Sequence, residues 1–313
     1  MLSILHFKKA IAMFRHALVK KIKFLEDLVG HILVVRLIGR TFHEMSADDA
    51  THMAAGVAYY VLFSLFPLIL GLIAVLSFFV DDATAQTQLT DWISDFLPGS
   101  EELVVSNIDA VVAFRGALGI FALVGLFWSG SAVFGAITRA VNRAWDVVEN
   151  RPFYVTKMRQ LTMAVATGML FAVSLTMATV VRTAGNITTA EVPGIQSFVN
   201  TGSLVLLQGG SFALMLTIFL LLYKYLPNTK TYWRYVWPGA LVGALLFELA
   251  KNAFIFYLNS FTSFENVYGS LAPVVAMLLW AYISSLILIL GAELSSEYGR
   301  LKSGVERGVL IHQ

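Results

Sequence analysis

Residues 244–258 read ALLFELAKNAFIFYL. Apolar side chains flank a centre made of Glu248, Leu249, Ala250, Lys251 and Asn252, so a carboxylate, an ammonium and an amide stand inside what otherwise reads as a membrane span. Where those three groups face decides how the rest of the chain is read.

The surroundings are consistent with a membrane. Of 313 residues, 58% are hydrophobic and 13% charged, whereas a soluble domain carries about a quarter charged residues. Long apolar runs are therefore tested first as spans. Cysteine is absent, which excludes disulfides, thiolate zinc sites and cysteine nucleophiles. A net charge of +2 is too small to point to nucleic acid, so the placement of the charges carries the information.

Six stretches are apolar over about 20 residues, the length that crosses the hydrocarbon core: 54–80, 116–138, 160–182, 201–223, 236–258 and 270–292. The fold class expected is an all-α integral membrane protein with six transmembrane helices. Its divisions are a cytoplasmic or interfacial segment at 1–53, the transmembrane domain at 54–298 and a tail at 299–313. Lys and Arg fall almost entirely in the first fifty residues, the second and fourth connections and the tail; Arg115 and Arg182 lie on the other side, and Lys251 within a span. The positive-inside rule then places both termini in the cytoplasm. The first outer connection, 81–115, carries Asp81, Asp82, Asp91, Asp95, Glu101, Glu102 and Asp109. Helically spaced apolar residues flank Pro98-Gly99 there, which reads as a small outer helical cap. Leu18, Ile22, Leu25, Val29 and Ile32, interleaved with lysines, predict an amphipathic helix lying against anionic headgroups at the cytoplasmic surface.

Counted from residue 236 at 1.5 Å per residue, Glu248 lies roughly 18 Å into the fifth span, near the bilayer midplane. An ionised residue there costs about 2.5–3.5 kcal/mol on insertion scales, so neither it nor Lys251 is expected to face lipid. Ala240, Ala244, Glu248 and Lys251 share a stripe, and the charges, three residues apart, can pair along the helix. Gly239 and Gly243 form a GxxxG pair beside them. In the first span Gly56, Tyr60, Ser64, Pro67 and Gly71 share a face. Pro67 removes the bond to the Phe63 carbonyl, predicting a kink that Ser64 or a water satisfies. Gly125, Ser129, Ala132 and Ala136 make a small face in the second span, with Trp128 at its border. Gln208-Gly209-Gly210-Ser211 weakens regular helix in the fourth span and predicts a bend or break. Glu293, at the exit of the sixth span, reads as a solvated interfacial carboxylate. Tyr223, Tyr225, Trp233, Trp237 and Tyr298 form the aromatic belt.

Ala54-Ala55-Gly56-Val57-Ala58-Tyr59-Tyr60, Ser64-Leu65-Phe66-Pro67, Trp128-Ser129, Asn142-Arg143-Ala144-Trp145, Leu226-Pro227-Asn228, Pro238-Gly239-Ala240, Glu248 with Lys251, Tyr268-Gly269-Ser270-Leu271 and Leu290-Gly291-Ala292-Glu293 together resemble the YihY/BrkB family, in its order and spacing from about residue 40 to 298. The resemblance implies a multi-pass bacterial inner-membrane protein with six spans. It also implies links to virulence and envelope properties, a suggested transport role, and a historical ribonuclease label. A nuclease needs a metal-binding carboxylate or histidine cluster or a clear acid–base pair, and the six histidines, His6, His16, His31, His43, His52 and His312, show no metal-ligand pattern such as HExxH.

The function expected is a non-enzymatic transporter or translocator of an envelope lipid or small solute, working through a polar cavity between the first, second and fifth spans. Glu248 and Lys251 form its charged site, with Tyr60, Ser64, Ser129 and Asn252 as neutral partners beside Pro67. Neither cofactor, metal nor nucleic-acid partner is expected. Membrane lipids are the expected partners, anionic headgroups meeting the basic N-terminal segment, and a homo-oligomer is compatible with this reading. The alternative is a structural scaffold of the envelope whose basic N-terminal helix and acidic cap bind partners; a ribonuclease is the remote alternative.

Overall fold

A computed structural model of the chain describes residues 33–76, 115–147, 152–191, 196–260 and 268–304. The amphipathic segment at 1–32, positions 81–114 of the expected cap and most of the tail lie outside those residues. The described residues form seven α-helices, α1 Leu33–Ala47, α2 Ala50–Leu76, α3 Arg115–Ala144, α4 Phe153–Glu191, α5 Gln196–Tyr225, α6 Trp233–Ser260 and α7 Ala272–Ser303, with a 3-10 turn at Gly269–Leu271 and no strand. Leu206–Tyr225, Trp233–Leu258 and Ala272–Ser303 are long and apolar enough to cross a membrane by length and composition.

Each long helix packs on its neighbour in the chain, from α2 against α3 through to α6 against α7, and α7 closes the set onto α2 while also touching α3. The pairings fix antiparallel registers. Gly130 faces Ala164 and Gly135 faces Gln160 between α3 and α4. Phe219 meets Phe247 between α5 and α6, and Phe247 and Phe254 meet Trp280 between α6 and α7. Helix α4 packs on α3 and α5 and leaves Phe153, Met158, Met169, Val173 and Met177 exposed. In water such a surface would drive association; against acyl chains it needs no cover.

Association of helices in lipid depends on close packing, because burying apolar surface against apolar solvent gains little. Helices α6 and α7 achieve it by crossing backbone to backbone. A Cβ on Gly239 would overlap the Gly291 carbonyl and Ser295 Oγ, and one on Gly291 would overlap the Tyr223 hydroxyl. The crossing is then stitched by hydroxyls. Ser295 Oγ donates toward Val236 O at 3.2 Å and Gly291 O at 2.9 Å, and Tyr223 donates to Leu288 O at 2.8 Å. Helix α7 stops at Gly304, whose φ of 68° is the left-handed conformation a glycine adopts without steric cost, and whose N–H closes on Arg300 O at 2.9 Å.

Several local expectations are revised. Helix α5 runs unbroken through Gln208, Gly209 and Gly210. In an apolar medium a broken turn would strand its backbone groups, which outweighs the weak helix propensity of two glycines. Ser64 Oγ donates to Val61 O at 2.9 Å, not to the Phe63 carbonyl. The side chain of Pro67 lies outside the described residues. Helix α2, which carries the first expected span, begins at Ala50, and α4 extends nine residues beyond its expected end. Glu293 is 1% exposed instead of solvated, because α1 packs over the end of α7.

The crossing predicts a sharp asymmetry between glycines. Gly239→Val should destabilise the protein by at least about 1–3 kcal/mol, the usual cost of overpacking. Gly209→Ala, with nothing within 4 Å, should be neutral or slightly stabilising; thermal midpoints of the detergent-purified variants check both.

Candidate functional site

Helix α6 carries the first candidate. Ala240, Ala244, Phe247 and Phe254 are its buried face, while Leu245, Leu249 and Phe256 are exposed. Glu248 and Lys251 sit at the border between the two. Lys251 Nζ lies 2.7 Å from Glu248 Oε1, the side chains being 11% and 23% exposed. The ammonium also reaches across to α5, 3.4 Å from Ser211 Oγ. Glu248 Oε2 is turned away from solvent and has no hydrogen-bond partner among the described residues. Next to Ser211, Gln208, Gly209 and Gly210 leave α5 exposed. The pair therefore occupies the seam of α5 and α6, neither sealed within the bundle nor turned fully outward.

The remaining predicted site residues are not brought to it. Asn252 is exposed, and its amide donates to the Glu248 carbonyl of its own helix at 2.7 Å. Tyr60 and Ser64 belong to α2 and Ser129 to α3, and neither helix makes extended contact with α6; both pack on α7 instead. Tyr60 is half-buried, with the Arg139 guanidinium 5.8 Å from its ring centre. Ser64 and Ser129 are buried, and Trp128 beside Ser129 is exposed under Lys157 at 5.8 Å. Among the described residues, those expected to share one cavity are thus divided between α2, α3 and the seam of α5 and α6. Helix α7, packed against α2, α3 and α6, is the reason.

A second constellation was not anticipated. Arg300, its side chain 6% exposed, donates through Nη1 to Glu297 Oε1 at 2.6 Å and through Nη2 to Asp146 Oδ2 at 2.7 Å. Arg40 Nε lies 2.7 Å from Glu297 Oε2 as an ion pair, without the N–H alignment of a hydrogen bond. Arg143 Nε pairs with Asp48 Oδ1 at 3.2 Å. These groups come from α1, the turn after it, the end of α3 and the last turns of α7. At about 48 Å for 32 residues, α7 exceeds the hydrocarbon thickness of about 30 Å; its charged end begins at the predicted exit of the span. Asn142 Oδ1 accepts from the Asn228 N–H at 2.7 Å, tying the α5–α6 loop to the same end. The spacing of Glu293, Glu297 and Arg300 on one helical face was the available signal. Among the described residues, no three His, Asp or Glu side chains are placed to hold a metal ion.

The motif residues Asn142, Trp145, Asn228, Gly239, Gly291 and Glu293 thus lie in this end or in the α6–α7 crossing next to it. The family described as Virulence factor BrkB matches residues 41–308. The chain belongs to that family. Its relatives include a UPF0761 membrane protein of Aliivibrio salmonicida, 31% identical over 80% of this chain and 79% of that protein. Another, from Alteromonas mediterranea, is 27% identical over 84% and 87%. A Bacillus subtilis protein named ribonuclease-like, YfkH, is 28% identical over 82% of this chain and 92% of its own length. No solved structure matches. As a BrkB-family chain this is a membrane protein, in agreement with its apolar helices.

Removing one partner of a buried charge pair leaves the other uncompensated. Arg300→Met should therefore destabilise the protein by about 3–5 kcal/mol. Arg40→Met should cost less, because Arg40 is 37% exposed and water screens its contribution. Thermal unfolding of both variants measures the difference.

Proposed function

We propose that this BrkB-family chain is a non-enzymatic, six-span protein of the bacterial inner membrane, with both termini cytoplasmic, that moves an envelope lipid or small anionic solute along the seam of α5 and α6. Helices α2 to α7 are the spans, running through the six apolar stretches of the sequence. The observation that carries the reading is Lys251, a near-midspan ammonium shared between Glu248 and Ser211 at a laterally open border of the bundle. Ionisable groups at that depth are retained for function by default. A phosphate-bearing headgroup gains a charge-assisted bond from Lys251, and Glu248 competes for the same ammonium, which prevents the headgroup from being trapped. The exposed Gln208 and the exposed backbone at Gly209 and Gly210 leave room for a headgroup while the acyl chains stay in lipid.

The close Glu248–Lys251 contact also favours a second reading, in which the pair neutralises itself and only fixes helix packing, as in a scaffold. One experiment separates them. Proteoliposomes with fluorescent phosphatidylglycerol in both leaflets are treated with dithionite, and the rate at which inner-leaflet lipid becomes accessible is measured. Wild type should exceed empty vesicles. Lys251→Met and Glu248→Gln should each lower the rate at least about tenfold, the effect of losing about 1.4 kcal/mol of stabilisation, while remaining folded. Full activity in the doubly neutralised protein, or no movement by wild type, contradicts transport of such a lipid by this pair.

A further inference from the structure

Arg300 commits one nitrogen to Glu297 and another to Asp146, and Arg40 faces the remaining oxygen of Glu297. One turn earlier on α7, Glu293 is 1% exposed and its Oε1 has no hydrogen-bond partner among the described residues. Ser296 Oγ, equally buried, has none either. Glu44 and Asp48 from α1 and the turn after it, and Asp146 from the turn after α3, lie within electrostatic reach of Glu293, and Arg300 is the described cation in that range. Arg143 is drawn to Asp48. An ionised carboxylate in that position would be a buried negative charge among other negative charges, with an oxygen that no described residue donates to.

A metal cation would relieve this only with more oxygen ligands than are assembled, since no three carboxylates or imidazoles converge among the described residues. The ligand that fits a single unpartnered carboxyl oxygen is a proton. We propose that Glu293 is a proton-binding site, and that loss of this proton loosens the ionic clasp joining α1, the turn after α3 and α7. The neutral acid leaves Arg300 wholly available to Glu297 and Asp146. The ionised form places a further negative charge beside them and competes for the same guanidinium. The clasp is therefore tight when the proton is bound and loose when pH rises enough to remove it. This does not depend on what the α5–α6 seam transports.

Infrared spectroscopy of the full-length protein in bilayers tests the idea directly. The wild type at neutral pH should show the C=O stretch of a protonated carboxylic acid, and Glu293→Gln should lose that intensity. Raising the pH should bleach the band in wild type. Asp48→Asn, which removes one neighbouring negative charge, should move the bleach to lower pH. The thermal midpoint of wild type should fall as pH rises from the ordinary carboxylate range and level off once the band has bleached, and that of Glu293→Gln should fall far less. An unchanged carboxylic-acid band in Glu293→Gln overturns the proposal. If that variant does not fold, the Asp48→Asn titration decides, and an unmoved bleach, or one moved to higher pH, overturns it. A thermal midpoint raised by sodium over choline at fixed pH, in wild type but not in Glu293→Gln, would make this a metal-cation site and overturn it as well.

Discussion

The guanidinium of Arg300 holds three parts of the chain together at one end of the bundle. It bonds Glu297 on its own helix and Asp146 after α3, while Glu297 in turn draws in Arg40 of α1. In apolar surroundings helices have little reason to adhere beyond close packing and polar contacts. A desolvated, two-armed cation therefore imposes more order here than an apolar side chain of the same size. It also imposes a penalty, because every carboxylate drawn into its neighbourhood must be paired or neutral. The clasp and the uncommitted oxygen of Glu293 are two consequences of that one constraint.

Next to the clasp, the glycine crossing of α6 and α7 brings two backbones into contact and positions the rest of α6. From there α6 runs antiparallel to both α5 and α7, so that Glu248 and Lys251 emerge at the border with α5. The charged pair and the clasp are thus connected through a rigid element. One end of α6 is fixed by the tightest glycine contacts among the described residues, and Lys251 lies about 18 Å further along, twelve residues from Gly239. A change in the clasp that shifted α7 would reach the pair through α6 and also through α5, whose Tyr223 donates to Leu288 of α7.

The helices themselves were legible because a span is written in one dimension, as a run of apolar residues of sufficient length. The Glu248–Lys251 pairing was legible too, since three residues along a helix bring the side chains together. What the pair faces was not. Ser211 is 40 positions away, and its approach depends on the order in which the helices close around α7. The separation of Tyr60, Ser64 and Ser129 from the pair has this cause: each lies on a suitable face of its own helix, but α7 stands against those helices. Glu293 was misread because a carboxylate at the end of a span is usually wet, and nothing local shows that α1 will fold over it. The glycine pairing at 239 and 291 was half visible, as a GxxxG motif whose partner only the fold supplies.

Transport along α5 and α6 requires their seam to be open to polar molecules at the depth of Lys251. The chain contains no cysteine, so Ser211→Cys introduces a single thiol at that point. In membrane-embedded, folded protein this thiol should react with a charged, water-soluble methanethiosulfonate that does not cross lipid. A thiol that resists the reagent until the protein is unfolded would mean a dry, closed seam, and would contradict the account.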